Sequence, residues 1–159
     1  MATVIALPAT ATAPPVEREL AITRVLDAPR RLVFRAWTDP AHLMRWWGAH
    51  GCTLTACEVD PRPGGALRFS MRSPDGKDYP NSGIFREVVE PERLVFSWAW
   101  EEDGGRGHET LVTVTFADEG GRTRLELHQA VFESVEARDL HETGWGQALD
   151  RLATFLVDG

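Results

Sequence analysis

Apolar and polar residues alternate without a break in "ALRFSMR" (66–72). Leu67, Phe69 and Met71 fall on one side, and Arg68, Ser70 and Arg72 on the other. A period of two is the mark of a strand with one buried face. "RLVFSWAW" (93–100) repeats the pattern with Leu94, Phe96, Trp98 and Trp100. "ERELAITRVLDA" (17–28) does so with Leu20, Ile22 and Leu26, and "RTRLELHQ" (122–129) with Leu125 and Leu127 inward and Arg124, Glu126 and His128 outward. "CTLTACEVD" (52–60), "SGIFREVVE" (82–90) and "TLVTVTF" (110–116) complete the strands. Turn signals separate them at "RPGG" (62–65), "SPDGKD" (73–78), Pro91-Glu92 and "ADEGG" (117–121). "EEDGGRGHE" (101–109) reads as a long polar loop.

Helical spacing appears in three places. In "APRRLVFRAWTDP" (28–40), Leu32, Val33, Ala36 and Trp37 form a stripe, with Asp27 as N-cap and Pro29 in the first turn. Asp39 and Pro40 end that helix and open a second, which carries Leu43, Met44, Trp46 and Trp47 and stops at Gly48. Ser134 caps the last helix, with Ala137 where a capping box has glutamate. His141, Trp145, Leu149, Leu152 and Leu156 recur there at three and four, over a length of about 35 Å. Gly144 and Gly146 flank Trp145, and each costs roughly 1 kcal/mol against alanine. Close packing or room for a ligand has to offset that. The order strand, two short helices, six strands, long helix predicts an α+β domain. Its antiparallel sheet has one apolar face, which only the long helix can cover, provided the sheet curls around it.

Composition narrows the function classes. The 159 residues fit one domain, and 43% hydrophobic content supports a core. A net charge of −7, from 17 Lys+Arg against 24 Asp+Glu, disfavours nucleic acid and anionic membrane surfaces as partners. No apolar run is long enough to span a bilayer. Residues 1–16 hold no charge and are broken by Pro8, which predicts a disordered leader before a domain at 17–159. Cys52 and Cys57 are an odd number of residues apart, on opposite faces of one strand, too distant for a disulfide. Two free thiols suit a reducing cytoplasm.

Chemical motifs are few. "HETGW" (141–145) starts like a zinc motif but has Trp145 in place of the second histidine, so no metal is expected. No nucleophile elbow, P-loop or dinucleotide fingerprint appears, and no cofactor is expected. "EED" (101–103) reads as a solvated turn, with weak attraction of a cation as its alternative, and "GGRGHE" (104–109) reads as solvated. Three of the six tryptophans fall in "AWTDPAHLMRWWGAHG" (36–51). A plain core is served by leucine, so such a density points to the wall of a ligand space or to a sticky surface. His141, one turn before Trp145, is a satisfied core histidine, a ligand anchor or a general acid–base. The faces of Arg24 and Glu87 stay open, and Tyr79 is placed in a loop, with a hydroxyl at the mouth of the ligand space as its alternative.

"APRRLVFRAWTDPAHLMRWWG" (28–48), "DPRPGGALRFSM" (60–71), "GIFREVVEPERLVFSWAW" (83–100) and "HETGWGQALDRLATFL" (141–156) together resemble the START/SRPBCC superfamily. Within it they are similar to the branch related to the C-terminal domain of the activator of heat-shock protein 90 ATPase. The resemblance covers residues 17–158. It implies the helix-grip (START/Bet v 1-like) fold: a curved antiparallel sheet of six or seven strands around a long C-terminal helix, with two short helices closing one end. It also implies an apolar cavity. The wall carried over is Trp37, Met44 and Trp47 at the mouth, Phe69, Met71, Phe96, Trp98 and Trp100 from the sheet, and His141, Trp145 and Leu149 from the helix. A small apolar or amphipathic ligand is the expected partner. A polyketide cyclase/aromatase-like enzyme using His141 is the alternative, and a homodimer is left open. The eukaryotic activator has a further N-terminal domain where this chain has its leader, which argues against a chaperone partner. Deleting residues 1–16 is expected to leave the melting temperature within about 2 °C by calorimetry, because the leader buries little. A larger fall means that the leader docks on the domain.

Overall fold

Each alternating segment forms a strand of one antiparallel sheet. The structure is a computed structural model that describes residues 14–158. Its strands are β1 (Leu20–Leu26), β2 (Thr53–Val59), β3 (Ala66–Arg72), β4 (Asp78–Val89), β5 (Arg93–Glu102), β6 (Gly105–Arg106), β7 (Thr110–Glu119) and β8 (Arg122–Ala130). The spatial order is β1-β8-β7-β5-β4-β3-β2, with β6 paired to the end of β5. Helices α1 (Arg30–Thr38) and α2 (Pro40–Trp46) link β1 to β2, and α3 (Val135–Asp158) follows β8. Leu67, Phe85, Phe96, Val114 and Leu127 are buried on the inner face, and Trp145, Ala148, Leu149 and Leu152 of α3 are buried against it. This is the helix-grip arrangement, with a curved sheet around the C-terminal helix.

The differences from the sequence pattern have local causes. The sheet has eight strands, because the polar stretch 101–109 is a hairpin. Glu101 pairs with Arg106 and Glu102 with Gly105, and Gly105 turns at φ +119°. β4 starts at Asp78, so Tyr79 is on a strand opposite Met71 rather than in a loop. A bulge between Leu54 and Ala56 resets the alternation of β2. Cys57 therefore packs against the core instead of facing away from it, and burial pushes its thiol up to about 11. Both cysteines are free.

Helix α1 is capped by Pro29 with no side-chain bond, so Asp27 does not cap it. Its buried face is Val33, Phe34, Ala36 and Trp37, while Leu32 is exposed. Asp39 caps α2 by accepting from the Ala41 amide at 2.9 Å, with Pro40 following. Trp46 is fully buried, and its Nε1–H donates to the Ala36 carbonyl at 2.9 Å, tying the two short helices together. Gly48 at φ +105° reverses the chain. The Ser134 hydroxyl accepts from the Ala137 amide at 3.1 Å and caps α3.

Most of the expected leader lies outside the described residues. Pro15–Arg18 form a 3-10 turn, and Arg18 donates to the Phe132 carbonyl at 2.7 Å. Among the described residues no helix is long and apolar enough to cross a membrane. Two side chains assigned to the cavity wall test the core directly. Leu149 is fully buried, whereas Met44 is 46% exposed. In urea denaturation, Leu149→Ala is expected to cost about 2–5 kcal/mol, and Met44→Ala no more than about 0.5 kcal/mol.

Candidate functional site: a tryptophan-lined cavity

Small residues on α3 leave a gap that the large residues around it do not fill. Gly144 faces this gap: a Cβ added there would meet no atom within 4 Å. Gly146 is different, because its added Cβ would rest 3.7 Å from the Arg24 guanidinium. The gap is a cavity of about 660 Å³. α3 supplies Leu140, His141, Gly144, Trp145 and Ala148 to it. The sheet supplies Met71, Asp78, Tyr79, Pro80, Trp98, Trp100, Glu101 and Glu102, the β3–β4 turn supplies Lys77, and the connection after α2 supplies Trp47, Gly48, Ala49 and Cys52. Trp47, Trp98 and Trp145 are buried, while Tyr79, Leu140, Lys77 and the two glutamates are exposed at the mouth.

The rings of the floor hold one another. Trp145 stacks on Trp37 at 5.8 Å and meets Trp47 edge-on at 5.3 Å. Trp47 stacks on Phe69 at 4.4 Å, and Trp98 meets Trp100 edge-on at 5.6 Å. The Trp145 Nε1–H donates to Gln129 Oε1 at 2.7 Å, and Gln129 Nε2 donates to Thr110 Oγ1 at 2.8 Å. Sequence reasoning passed over this buried pair, although Gln129 has the same parity as the inward Leu125 and Leu127. The Trp98 Nε1–H is buried with no acceptor among the described residues.

His141 is committed on both nitrogens. One ring nitrogen lies 2.7 Å from the Ala137 carbonyl, and the other accepts from the Trp100 Nε1–H at 3.0 Å. A carbonyl only accepts and an indole N–H only donates, so the ring is neutral with its proton on Nδ1. Burial pushes its pKa below the ordinary value, opposed by the Ala137 carbonyl and the charge of Glu133. Arg24 lies on the inner side of β1 but turns to α3, 2.8 Å from Asp150. Glu87 faces outward, 3.1 Å from Arg93. The α2–β2 connection is fastened to α3 by Arg151, whose Nη1 lies 3.0–3.3 Å from the carbonyls of Trp47, Gly48, Ala49 and Cys52.

The wall inferred from the sequence divides into three groups. Trp47, Met71, Trp98, Trp100, His141 and Trp145 come together around the cavity. Trp37, Phe69 and Phe96 lie behind Trp47, around a space of only about 10 Å³, and are packed core with Leu149. Met44 points away from the cavity, because Leu43 and Trp46 hold the inner side of α2. The rim was missed. Tyr79, Glu101 and Glu102 belong to segments that read as turns and loops, and only hairpin geometry carries them to the mouth.

Residues 27–157 match the family model described as Activator of Hsp90 ATPase homolog 1-like protein. The chain belongs to this family. The matched span contains every residue that lines the cavity. No curated protein sequence matches the chain. Solved structures that it resembles include a Chromobacterium violaceum protein at 26% identity and TM-score 0.81, over 87% of this chain and 96% of that one. A protein from Silicibacter pomeroyi described as AHSA1 is 29% identical, with TM-score 0.80 over 87% and 97%. A Nitrosomonas europaea protein is 28% identical, with TM-score 0.76 over 89% and 96%. Family membership accounts for the gripped helix and leaves the chemistry of the cavity to the side chains.

The depressed pKa of His141 has a signed consequence. Below its ordinary value near 6.5, the unfolded chain takes up a proton that the folded chain resists. Stability therefore falls as pH drops through that window and is level above it. Wild type minus His141→Gln, followed by thermal melts across the window, is expected to show this slope. A difference that does not change with pH would falsify the neutral assignment.

Proposed function

We propose that the protein binds a small apolar or amphipathic molecule in the cavity between the sheet and α3. The observation that carries this reading is the cavity itself, at about 660 Å³ with four indole side chains in its wall. That volume falls within the roughly 300–1,000 Å³ typical of ligand pockets, which are mostly apolar with a few polar groups. The rim residues Tyr79, Lys77, Glu101 and Glu102 supply the polar groups, and Leu140 adds an exposed apolar edge.

Binding is favoured over acid–base catalysis by the state of His141. A general base needs a free lone pair within reach of the proton it removes. The His141 lone pair on Nε2 is taken by the Trp100 N–H. No carboxylate is hydrogen-bonded to the ring among the described residues, so a cyclase-like role lacks its acid–base pair.

Native mass spectrometry of freshly purified protein is expected to show a bound molecule of low mass that denaturation removes. Gly144→Leu is the matching variant, since it fills open space with a better helix former. It is expected to hold or raise the melting temperature. It should weaken binding of an apolar fluorescent probe, read by tryptophan quenching, by about tenfold, or about 1.4 kcal/mol. Unchanged probe affinity in a folded Gly144→Leu protein sinks the reading.

A further inference from the structure

We infer, building on the binding reading above, that the cavity selects cations: an amphipathic amine or quaternary ammonium, with its apolar body against the indoles and its charged end at the mouth. The charged side chains that line the cavity are Lys77, Asp78, Glu101 and Glu102, and no arginine is among them. His141 adds no charge, since its ring is neutral. Behind the rim, Arg72 neutralises Asp78 at 2.8 Å, and Arg106 lies 3.6 Å from Glu101. Glu102 forms no ion pair among the described residues, and the one basic lining side chain, Lys77, is seated over the Tyr79 ring, so the Glu102 carboxylate is a counter-charge left for a ligand.

The aromatic wall favours the same sign. Indole and phenol faces are negative and attract a cation held within about 6 Å of the ring centroid. The mouth already shows the geometry, with the Lys77 ammonium 5.3 Å from the Tyr79 ring centroid. Tyr79 meets Trp100 edge-on at 6.3 Å, so the cation-attracting surface continues inward from the rim. An anionic head group meets negative ring faces and the unpaired Glu102 carboxylate, with only Lys77 as partner. The net charge of −7 draws cations in over longer range.

Calorimetric titration with octylamine, octanol and octanoate separates charge from apolar fit. At low ionic strength octylamine is expected to bind about tenfold more tightly than octanoate, with octanol between them. High salt should narrow the gap, because the mouth is open to counter-ions. Glu102→Gln, its fold checked by circular dichroism, should also narrow it by weakening octylamine. If octanol binds but octylamine is no tighter than octanoate, the charge selection is overturned and the binding reading survives. If none of the three binds, the binding reading falls and takes this inference with it.

Discussion

The inner layer of the protein depends on where Trp145 is held. Its ring is the place where α3, the short helices and the sheet all meet. Trp37 of α1 stacks on it, Trp47 from the end of α2 meets its plane edge-on, and Trp98 of β5 lies 6.2 Å away. Its N–H is matched to Gln129 of β8. A leucine there could fill volume, but it could neither stack on Trp37 nor satisfy the fully buried Gln129. Leaving such an amide unpaired costs about 1–3 kcal/mol. This explains the density of tryptophan along 36–51, where Trp37 and Trp47 are two of the rings that fix the helix register against the sheet. Trp46 has a different task, locking α2 to α1 through the Ala36 carbonyl.

With Trp145 fixed, and apart from the contacts of His141 and Gly146, polar contacts of α3 fall on either side of the cavity. Before it, Ser134 caps the helix and Arg138 donates to the Glu19 carbonyl at 2.9 Å. At and beyond its far end, Gln147 accepts from the His50 amide, Asp150 pairs with Arg24, and Arg151 gathers four carbonyls of the α2–β2 connection. A helix anchored at both ends of a stretch does not need dense packing along it. Gly144 occupies that stretch, which is why its helix penalty is tolerated. Gly146 is accounted for separately, by the Arg24 guanidinium resting on the helix backbone beside it.

The fold was legible wherever burial has a period. The strands in "ALRFSMR" and "RLVFSWAW" and the stripe His141–Trp145–Leu149 could be read because one face is wet and the other dry. Legibility failed where a single residue changes the phase. The bulge after Leu54 turned Cys57 inward, and Gly105 turned a polar loop into a hairpin. The cavity was legible in part for a related reason. Periodicity reports which side chains point inward, and it set Trp98 and Trp145 on faces that are buried. It does not report whether an inward side chain meets another side chain or empty space. Phe69, Phe96 and Leu149 share the parity of the lining residues, yet they meet packed neighbours.

An apolar cavity in a domain of this size is under pressure to collapse, since each unfilled wall forgoes dispersion contacts. Here the wall cannot move in. The small residues Gly48, Ala49, Gly144 and Ala148 leave room, but the rings around them are already committed. Trp47 is stacked on Phe69, Trp98 is set between Trp100 and Trp145, and Trp100 is hydrogen-bonded to His141. Moving any of these rings to fill the gap breaks an aromatic contact or a buried hydrogen bond. Rotating Trp100 alone would leave His141 Nε2 without its donor. The contacts that make the floor rigid are thus the ones that keep the space open. A ligand entering it finds surfaces already in place and orders few side chains on arrival, which lowers the entropic cost that association has to overcome.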